Sequence, residues 1–213
     1  QLVGLHNERK LFNSASLAKI ITTYIGLKEL GPDFSWQSDF YYTGDIVGET
    51  LKGDIIFKGT GDASFSVEDL EGMIRRIQRK GINRIEGNLL FDSTYFGEIP
   101  NGVTFDNDPM RAYNVLPSAI SVQSNTINFR FNSKKNKVKI EATPNIKALK
   151  IVNNVKTTRE KCLSWREKLI YETKANEQQN SLIFRGKFSK KCKVKEIDLA
   201  MLDWQTYFYH TFK

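Results

Sequence analysis

Residues 12–31 read FNSASLAKIITTYIGLKELG, and the fold turns on how Ser16 and Lys19 are placed in this stretch. On a helix, side chains three positions apart share a face, so the Ser16 hydroxyl and the Lys19 ammonium project into one space. Leu17, Ile20, Ile21, Tyr24, Ile25 and Leu27 make the segment apolar nearly all round, and Gly31-Pro32 stops it, which predicts a helix over 14–30 lying inside a domain. A lysine in such a helix costs free energy unless it finds partners or loses its proton, a conflict that a catalytic lysine presents. The plainer reading makes Ser16 an N-cap and Lys19 a solvated surface charge. That describes most S-x-x-K occurrences, so the pair needs support from the rest of the chain.

The chain has 213 residues, 40% of them hydrophobic and 14 of them Phe, enough to bury a core or two. It has no apolar run of about 18 residues of the kind that spans a membrane. Residues 1–10, QLVGLHNERK, lack the basic start, apolar run and small-residue cleavage site of a secretory signal, as expected of a cytosolic protein or of a mature or trimmed form. The net charge of +8 is unevenly spread: KKNKVK, KTTREK and KFSKKCKVK fall within 134–195, whereas 31–110 is near neutral or acidic. Such an excess suits polyanionic surroundings, among them nucleic acid, acidic lipid headgroups and an acidic wall polymer, and equally suits ordinary solvated strand faces. No strand alternates aromatic and basic residues as an RNA-stacking sheet does, so nucleic acid is not an expected partner.

Cys162 and Cys192 have no neighbouring Cys or His, and the only histidines, His6 and His210, lie near opposite ends of the chain. A zinc site needs about four ligands, so no metal is expected. The cysteines are either two buried thiols or one disulfide, the latter requiring an oxidising compartment.

From Phe34 the pattern changes to short alternating runs, WQSDFYYTGDIV and LKGDIIFKG, separated by Gly and Asp turns, which predicts strands. SVEDLEGMIRRIQRK, 66–80, predicts an amphipathic helix covering a sheet, with Ser66 as cap, Asp69 completing a box-like start and Gly81 as the stop. INRIEGNLLFD reads as the next strand. Residues 97–117 carry three of the five prolines and little periodicity, as an ordered loop or lid would. VQSNTINFRFN, NKVKIEAT, ALKIVNNVKT, KLIYETKAN and SLIFRGKF read as five further strands, and DWQTYFYHTFK as the start of a helix.

Four of these stretches, in this order, resemble the low-molecular-mass class C penicillin-binding proteins, the D-alanyl-D-alanine carboxypeptidase/endopeptidases of bacterial cell-wall metabolism. NSASLAKIITTYIGLKELGPDFSW looks like that family's serine box, a Pro-Ala-Ser followed by x-x-Lys, a Thr-rich helix and a Leu-Gly turn. LKGDIIFKGTGDASF is similar to its L-x-G-D-L-x-L-x-G-x-G-D-P segment, GINRIEGNLLFDSTYF to its G-I-x-x-I-x-G-x-L-x-x-D-x-S-x-F segment, and YNVLPSAISVQSNTINFRF to its Ala-Leu-Ser-x-x-x-N strand. Ser14 and Ala63 stand where the family has proline. The family's S-x-N and K-T-G motifs, which complete its active site, do not occur in these 213 residues; Lys156-Thr157-Thr158 lacks the glycine and falls in the inserted region.

The resemblance implies an α/β (α+β) fold: a partial penicillin-binding-protein/β-lactamase-like transpeptidase domain with inserted, mainly β domains. Residues 1–33 would be the N-terminal piece of the catalytic domain, 34–198 the inserts, with a second insert nested near 122–185, and 199–213 the start of the return. It implies Ser16 as the acylated nucleophile, Lys19 as its base and the Ser16 N–H as an oxyanion donor. Asp92 and Phe96 would face the substrate cleft, the acid holding the amino group of the peptide stem; the alternative is that Asp92 caps a turn and Phe96 fills a core. Asp62 is expected to fix a loop and Asn125 to be a turn residue. Relatives often carry a cysteine before a tryptophan, as in CLSW here, and this implies a Cys162–Cys192 bridge between adjacent strands in a protein of the periplasm. The implied partners are peptidoglycan stem peptides and β-lactam antibiotics, with scope for peripheral membrane association and no metal or organic cofactor. These 213 residues alone are expected to be inactive. The competing expectations are a non-catalytic wall-binding or scaffold module of the same family, and a basic module for anionic polymers.

Overall fold

The computed structural model describes residues 4, 9–11, 13–97, 106, 108–134, 136–175 and 180–213. Two compact units divide the chain, residues 1–36 and 37–213, and each is described by itself.

In the first unit a single 3-10 turn, Ala15–Leu17, leads into α1 (Ala18–Leu30). The Asn13 side chain accepts from Ala15 N–H at 2.8 Å, and Gly31, at a φ of 82°, closes the helix by donating to the Leu27 carbonyl. The helix forms where the sequence predicts it, but its burial does not follow. Leu17, Ile20, Ile21, Tyr24, Ile25 and Leu27 are 51–67% exposed. Composition predicts cover for these side chains, and in this structure they face water.

The second unit starts with two small sheets. β1 (Asp39–Tyr42) pairs antiparallel with β4 (Ile55–Lys58), and β2 (Asp45–Val47) with β3 (Thr50–Lys52). α2 (Val67–Arg79) then carries the chain over, so that β5 (Arg84–Ile85) runs parallel to β3 and β6 (Leu89–Asp92) parallel to β4. INRIEGNLLFD is thus two short strands in two sheets, broken at Glu86–Asn88 where Gly87 crosses the Gly53 carbonyl too closely for any side chain. The start of α2 is the predicted capping box: the Ser66 hydroxyl accepts from Asp69 N–H at 3.1 Å, and the Asp69 carboxylate accepts from Ser66 N–H at 2.9 Å. Its apolar stripe buries Leu70 and Met73.

A β-sandwich follows. One sheet has the order β12–β7–β8 and is antiparallel, from β7 (Thr126–Lys134), β8 (Lys137–Thr143) and β12 (Val194–Ala200). The other has the order β10–β11–β9, with β9 (Leu149–Thr158) parallel to β11 (Asn180–Ser189) and β10 (Leu169–Ala175) antiparallel to it. Period-two alternation points Ile127, Phe129 and Phe131 inward against Leu182, Phe184 and Phe188, all at 0% exposure, with Phe129 and Phe184 centroids 5.2 Å apart. The five predicted strands are present; β12, VKEIDLA, is a sixth that the sequence reading omits because its charges mask the alternation of Ile197 and Leu199.

α3 (Trp204–Phe212) is capped by Asp203 and packs into the same core. Phe208 lies 4.6 Å from Phe57 and 5.1 Å from Phe91, and the buried Tyr207 hydroxyl donates to the Thr126 carbonyl at 2.8 Å. One hydrophobic cluster therefore runs from β4 through α3 to the sandwich. Cys162 and Cys192 are bonded to each other. They lie in the β9–β10 loop and in the 3-10 turn after β11, so the bond joins two turns and not the adjacent strands that were expected.

Candidate active site

Ser16 occupies the 3-10 turn and Lys19 the first turn of α1, and the Lys19 ammonium donates to the Ser16 hydroxyl at 3.3 Å. Leu17, the N-cap of α1, makes no side-chain capping hydrogen bond, and the short turn brings the Ser16 and Lys19 side chains together at the helix start. Ala15, immediately before the serine, sits at a φ of 44°, a left-handed conformation that L residues other than Asn, Asp and Gly rarely adopt. Both members of the pair are exposed. A hydroxyl becomes a strong nucleophile when an adjacent base takes its proton, and an ε-amine accepts a proton once desolvation or a neighbouring cation has lowered its basicity. The contact that such chemistry requires is present in this unit.

Asp92 and Phe96 belong to the second unit, at and after the end of β6. One Asp92 oxygen accepts from both the Thr94 N–H at 3.1 Å and the Thr94 hydroxyl at 2.6 Å, while the other lies 3.7 Å from the Lys58 ammonium. The Thr94 hydrogen bonds, with help from Lys58, hold this carboxyl below its ordinary range. Lys58 is the cross-strand neighbour of Asp92 in the parallel β4–β6 pair, a placement that no local sequence signal gives. The Phe96 ring lies over Gly61, at a φ of 90°, where any Cβ would come within 2.4 Å of it. Asp92 thus closes a turn and Phe96 packs on a glycine, while the carboxylate keeps one oxygen toward Lys58. Asp62 fixes its loop as expected, accepting from Ser64 N–H at 2.8 Å and Ser64 Oγ at 2.7 Å. Asn125 is a buried residue at a φ of 53° within the turn before β7.

The 97–117 stretch falls partly outside the described residues, but its second half is an ordered clasp. Asp106 accepts from Tyr113 and from Asn114, Asp108 accepts from Arg111 at 2.7 Å, and the Tyr171 hydroxyl of β10 donates to Asp108 at 2.5 Å. A cleft of about 300 Å³ lies between β1 and α2, lined by Phe40, Tyr42, Met73, Arg76 and Lys80, and holds none of the residues singled out above.

A serine with a lysine one turn away is a pairing that some serine hydrolases use in place of a serine with a histidine. The model of the D-Ala-D-Ala carboxypeptidase 3 (S13) family matches residues 2–213, and the chain belongs to that family. Among curated proteins, it is 25% identical over 137 residues to the D-alanyl-D-alanine carboxypeptidase DacB of Haemophilus influenzae, covering 64% of this chain and 29% of that protein. It is 29% identical over 115 residues to a D-alanyl-D-alanine carboxypeptidase of Actinomadura sp. (strain R39), covering 51% of this chain and 20% of that protein. The matched regions span less than a third of either relative. Among solved structures it is similar to penicillin binding protein 4 (dacB) from Haemophilus influenzae, with a TM-score of 0.70 at 19% identity over 92% of this chain and 43% of that one. The same protein complexed with a novel β-lactam matches with a TM-score of 0.60 over 92% of this chain and 40% of that one. At this identity the structural likeness establishes the fold, mixed α and β, with β sheets dominating the second unit.

Proposed function

We propose that the chain carries the nucleophile of a serine-type D-alanyl-D-alanine carboxypeptidase/endopeptidase of peptidoglycan metabolism. Ser16 attacks the carbonyl of the terminal D-Ala-D-Ala amide, Lys19 takes its proton, and D-alanine leaves as the acyl-enzyme forms. Water then hydrolyses the acyl-serine. The single observation that carries this reading is the 3.3 Å contact between Lys19 and Ser16 in a chain of the S13 family. Residues 1–33 are read as a piece of the catalytic domain, 34–198 as inserts and 199–213 as the return. Asp92, ionised beside Lys58, is read as a receptor for the stem-peptide amine, with Phe96 beside it, and β-lactams as acylating agents of Ser16. The site of action is the bacterial periplasm, which suits the disulfide.

The 213 residues alone are proposed to be inactive. Ser16 and Lys19 both face water, which supplies neither the desolvation nor the fixed dipoles that acyl transfer needs. Labelling with a fluorescent penicillin tests the assignment. An extended version carrying an S-x-N and a K-T-G segment should label covalently and lose the label in Ser16→Ala. An extended version that never labels would make this a non-catalytic scaffold of the family.

A further inference from the structure

β1 is an edge strand: its sheet has the order β1–β4–β6, and among the described residues no strand pairs with its other side. The alternation of the ladder fixes which groups face that side. Ile55 N–H donates to the Asn88 carbonyl at 2.9 Å and Gly59 N–H to the Asp92 carbonyl at 3.2 Å, so the odd-numbered residues here turn their main chain toward β6. Ile56 and Lys58 turn theirs toward β1, where they meet Tyr41 and Asp39. The main-chain groups of Phe40 and Tyr42 therefore point out of the open edge. At β12 the corresponding edge is closed: Ala200 N–H donates to the Met110 carbonyl at 2.8 Å, and Arg111 bridges to Leu199.

The cleft of about 300 Å³ between β1 and α2 runs along this open edge. It is lined by the consecutive residues 38–42, whose side chains alternate between the two faces of the sheet, as only a cleft at the margin of the strand can be. Its apolar wall is made by the buried Ile55, Met73 and Ile82 with the half-buried Ile77. Arg76 and Lys80 line the same cleft, two exposed like charges four residues apart at the end of α2. Glu71 answers the neighbouring Arg75 at 3.4 Å, but among the described residues no carboxylate pairs with Arg76 or Lys80, not even Asp39 of the same cleft. The helix C-terminus tolerates the two cations and leaves their charge unanswered.

An open strand edge, an apolar wall beside it and two unanswered cations suit one kind of occupant. A small carboxylate would use the cations and the wall but has no partners for the main-chain groups of Phe40 and Tyr42. An extended polypeptide uses all three. Its main chain pairs with the edge, and its residues opposite Phe40 and Tyr42 turn their side chains to the face of the sheet where Phe40 packs with Ile77. We propose that β1 receives an added strand from a partner protein, a segment with an apolar and an acidic residue two positions apart. The apolar residue enters the cleft against Met73 and Ile77, and the acidic one meets Arg76 and Lys80. This surface lies within the second unit and stands whether or not Ser16 is a nucleophile.

Selection of a displayed library of random decapeptides on the full chain tests this, with the affinities of enriched peptides read by fluorescence anisotropy. Enriched peptides should share an apolar and an acidic residue two positions apart. Methylating the alternate backbone nitrogens along one edge of such a peptide should abolish binding, and methylating the other set should not. Arg76→Glu with Lys80→Glu should bind at least about tenfold more weakly. The control Lys52→Glu with Arg79→Glu makes the same change in net charge at exposed sites outside the cleft and should bind as the native chain does. Tyr42→Pro removes an outward N–H and spares the β1–β4 ladder, so it should bind about tenfold more weakly than Tyr42→Ala. Circular dichroism of each variant confirms folding. A selection that enriches nothing, or peptides that bind the cleft variants as well as the native chain, overturns the proposal. Equal binding by Tyr42→Pro and Tyr42→Ala, with naphthoate displacing the peptides, overturns it in favour of a site for small carboxylates.

Discussion

Tyr171 of β10 donates its phenolic hydrogen to Asp108 at 2.5 Å across 63 residues of sequence, and the same carboxylate oxygen accepts from Arg111 at 2.7 Å. Two residues further along, Met110 O accepts from Ala200 N–H at 2.8 Å, at the end of β12. Loop 108–114 therefore clasps a strand from each sheet of the sandwich. Tyr171→Phe keeps the ring and deletes the hydroxyl, leaving Arg111 as the side-chain donor to this Asp108 oxygen among the described residues. A hydrogen bond to a charged group contributes about 1.5–3 kcal/mol, so urea denaturation should show a loss of that order with an unchanged slope.

The same bond gives an alkaline signature. Burial first, and the Asp108 carboxylate second, push the Tyr171 phenol up from 10.0 to about 12. The folded state thus holds its proton where the unfolded chain has released it. The stabilisation is complete below pH 10.0 and drains away as the pH rises toward about 12. Between those values the native protein should lose stability more steeply than Tyr171→Phe, read from thermal midpoints. Parallel curves would mean that the phenol does not titrate as described.

At the other pH extreme, the capping box of α2 is the handle. Asp69 is held below its ordinary value by its hydrogen bonds from the Ser66 side chain and backbone. Its contribution is present above the unfolded-state value and is lost as pH falls through the lower folded one. Ser66→Ala should cost about 1 kcal/mol at neutral pH. Asp69→Asn should flatten the acid limb of the stability curve, and an acid limb identical to the native one would rule the box out as its cause.

That box was legible in the sequence because all of its parts lie within four residues, and so were the alternating strands and the start of a helix in 203–213, though not its Asp203 cap. What was not legible is what depends on distant partners. Apolar periodicity marks Ile20 and Ile25 as seeking cover but carries no information on whether a covering layer exists, and in this structure they face water. The Asp108 clasp needs Tyr171, and Asp92 meets Lys58 only through the parallel register of β4 and β6. β12 escaped notice because Glu196 and Asp198 occupy its outward positions and Lys195 interrupts the apolar side. Of the candidate site, the Ser16–Lys19 contact was readable because one helical turn sets it. The turn-closing role of Asp92 was readable only as an alternative.

The Cys162–Cys192 bond closes a loop of sequence separation 30. Removing it by Cys162→Ala with Cys192→Ala should cost roughly 2–4 kcal/mol, mostly through a freer unfolded chain. Native protein denatured under reducing conditions should then match the double variant. A reduced protein as stable as the oxidised one would show that the interlocking turns alone hold this end of the sandwich.

Lys19 distinguishes a base from a mere positive charge. In an extended version that labels with penicillin, Ser16→Ala should abolish acylation, and Lys19→Ala should slow it by about 10²–10⁴-fold, the usual contribution of a positioned base. The informative variant is Lys19→Arg. Arginine keeps a cation near the Ser16 hydroxyl but cannot give up its proton at any ordinary pH. If Lys19 accepts the serine proton, the arginine variant should be as slow as alanine in single-turnover acylation. If it only supplies a field for the developing oxyanion, arginine should restore most of the rate. The 3.3 Å contact would then be an electrostatic one, and the base would have to be sought elsewhere.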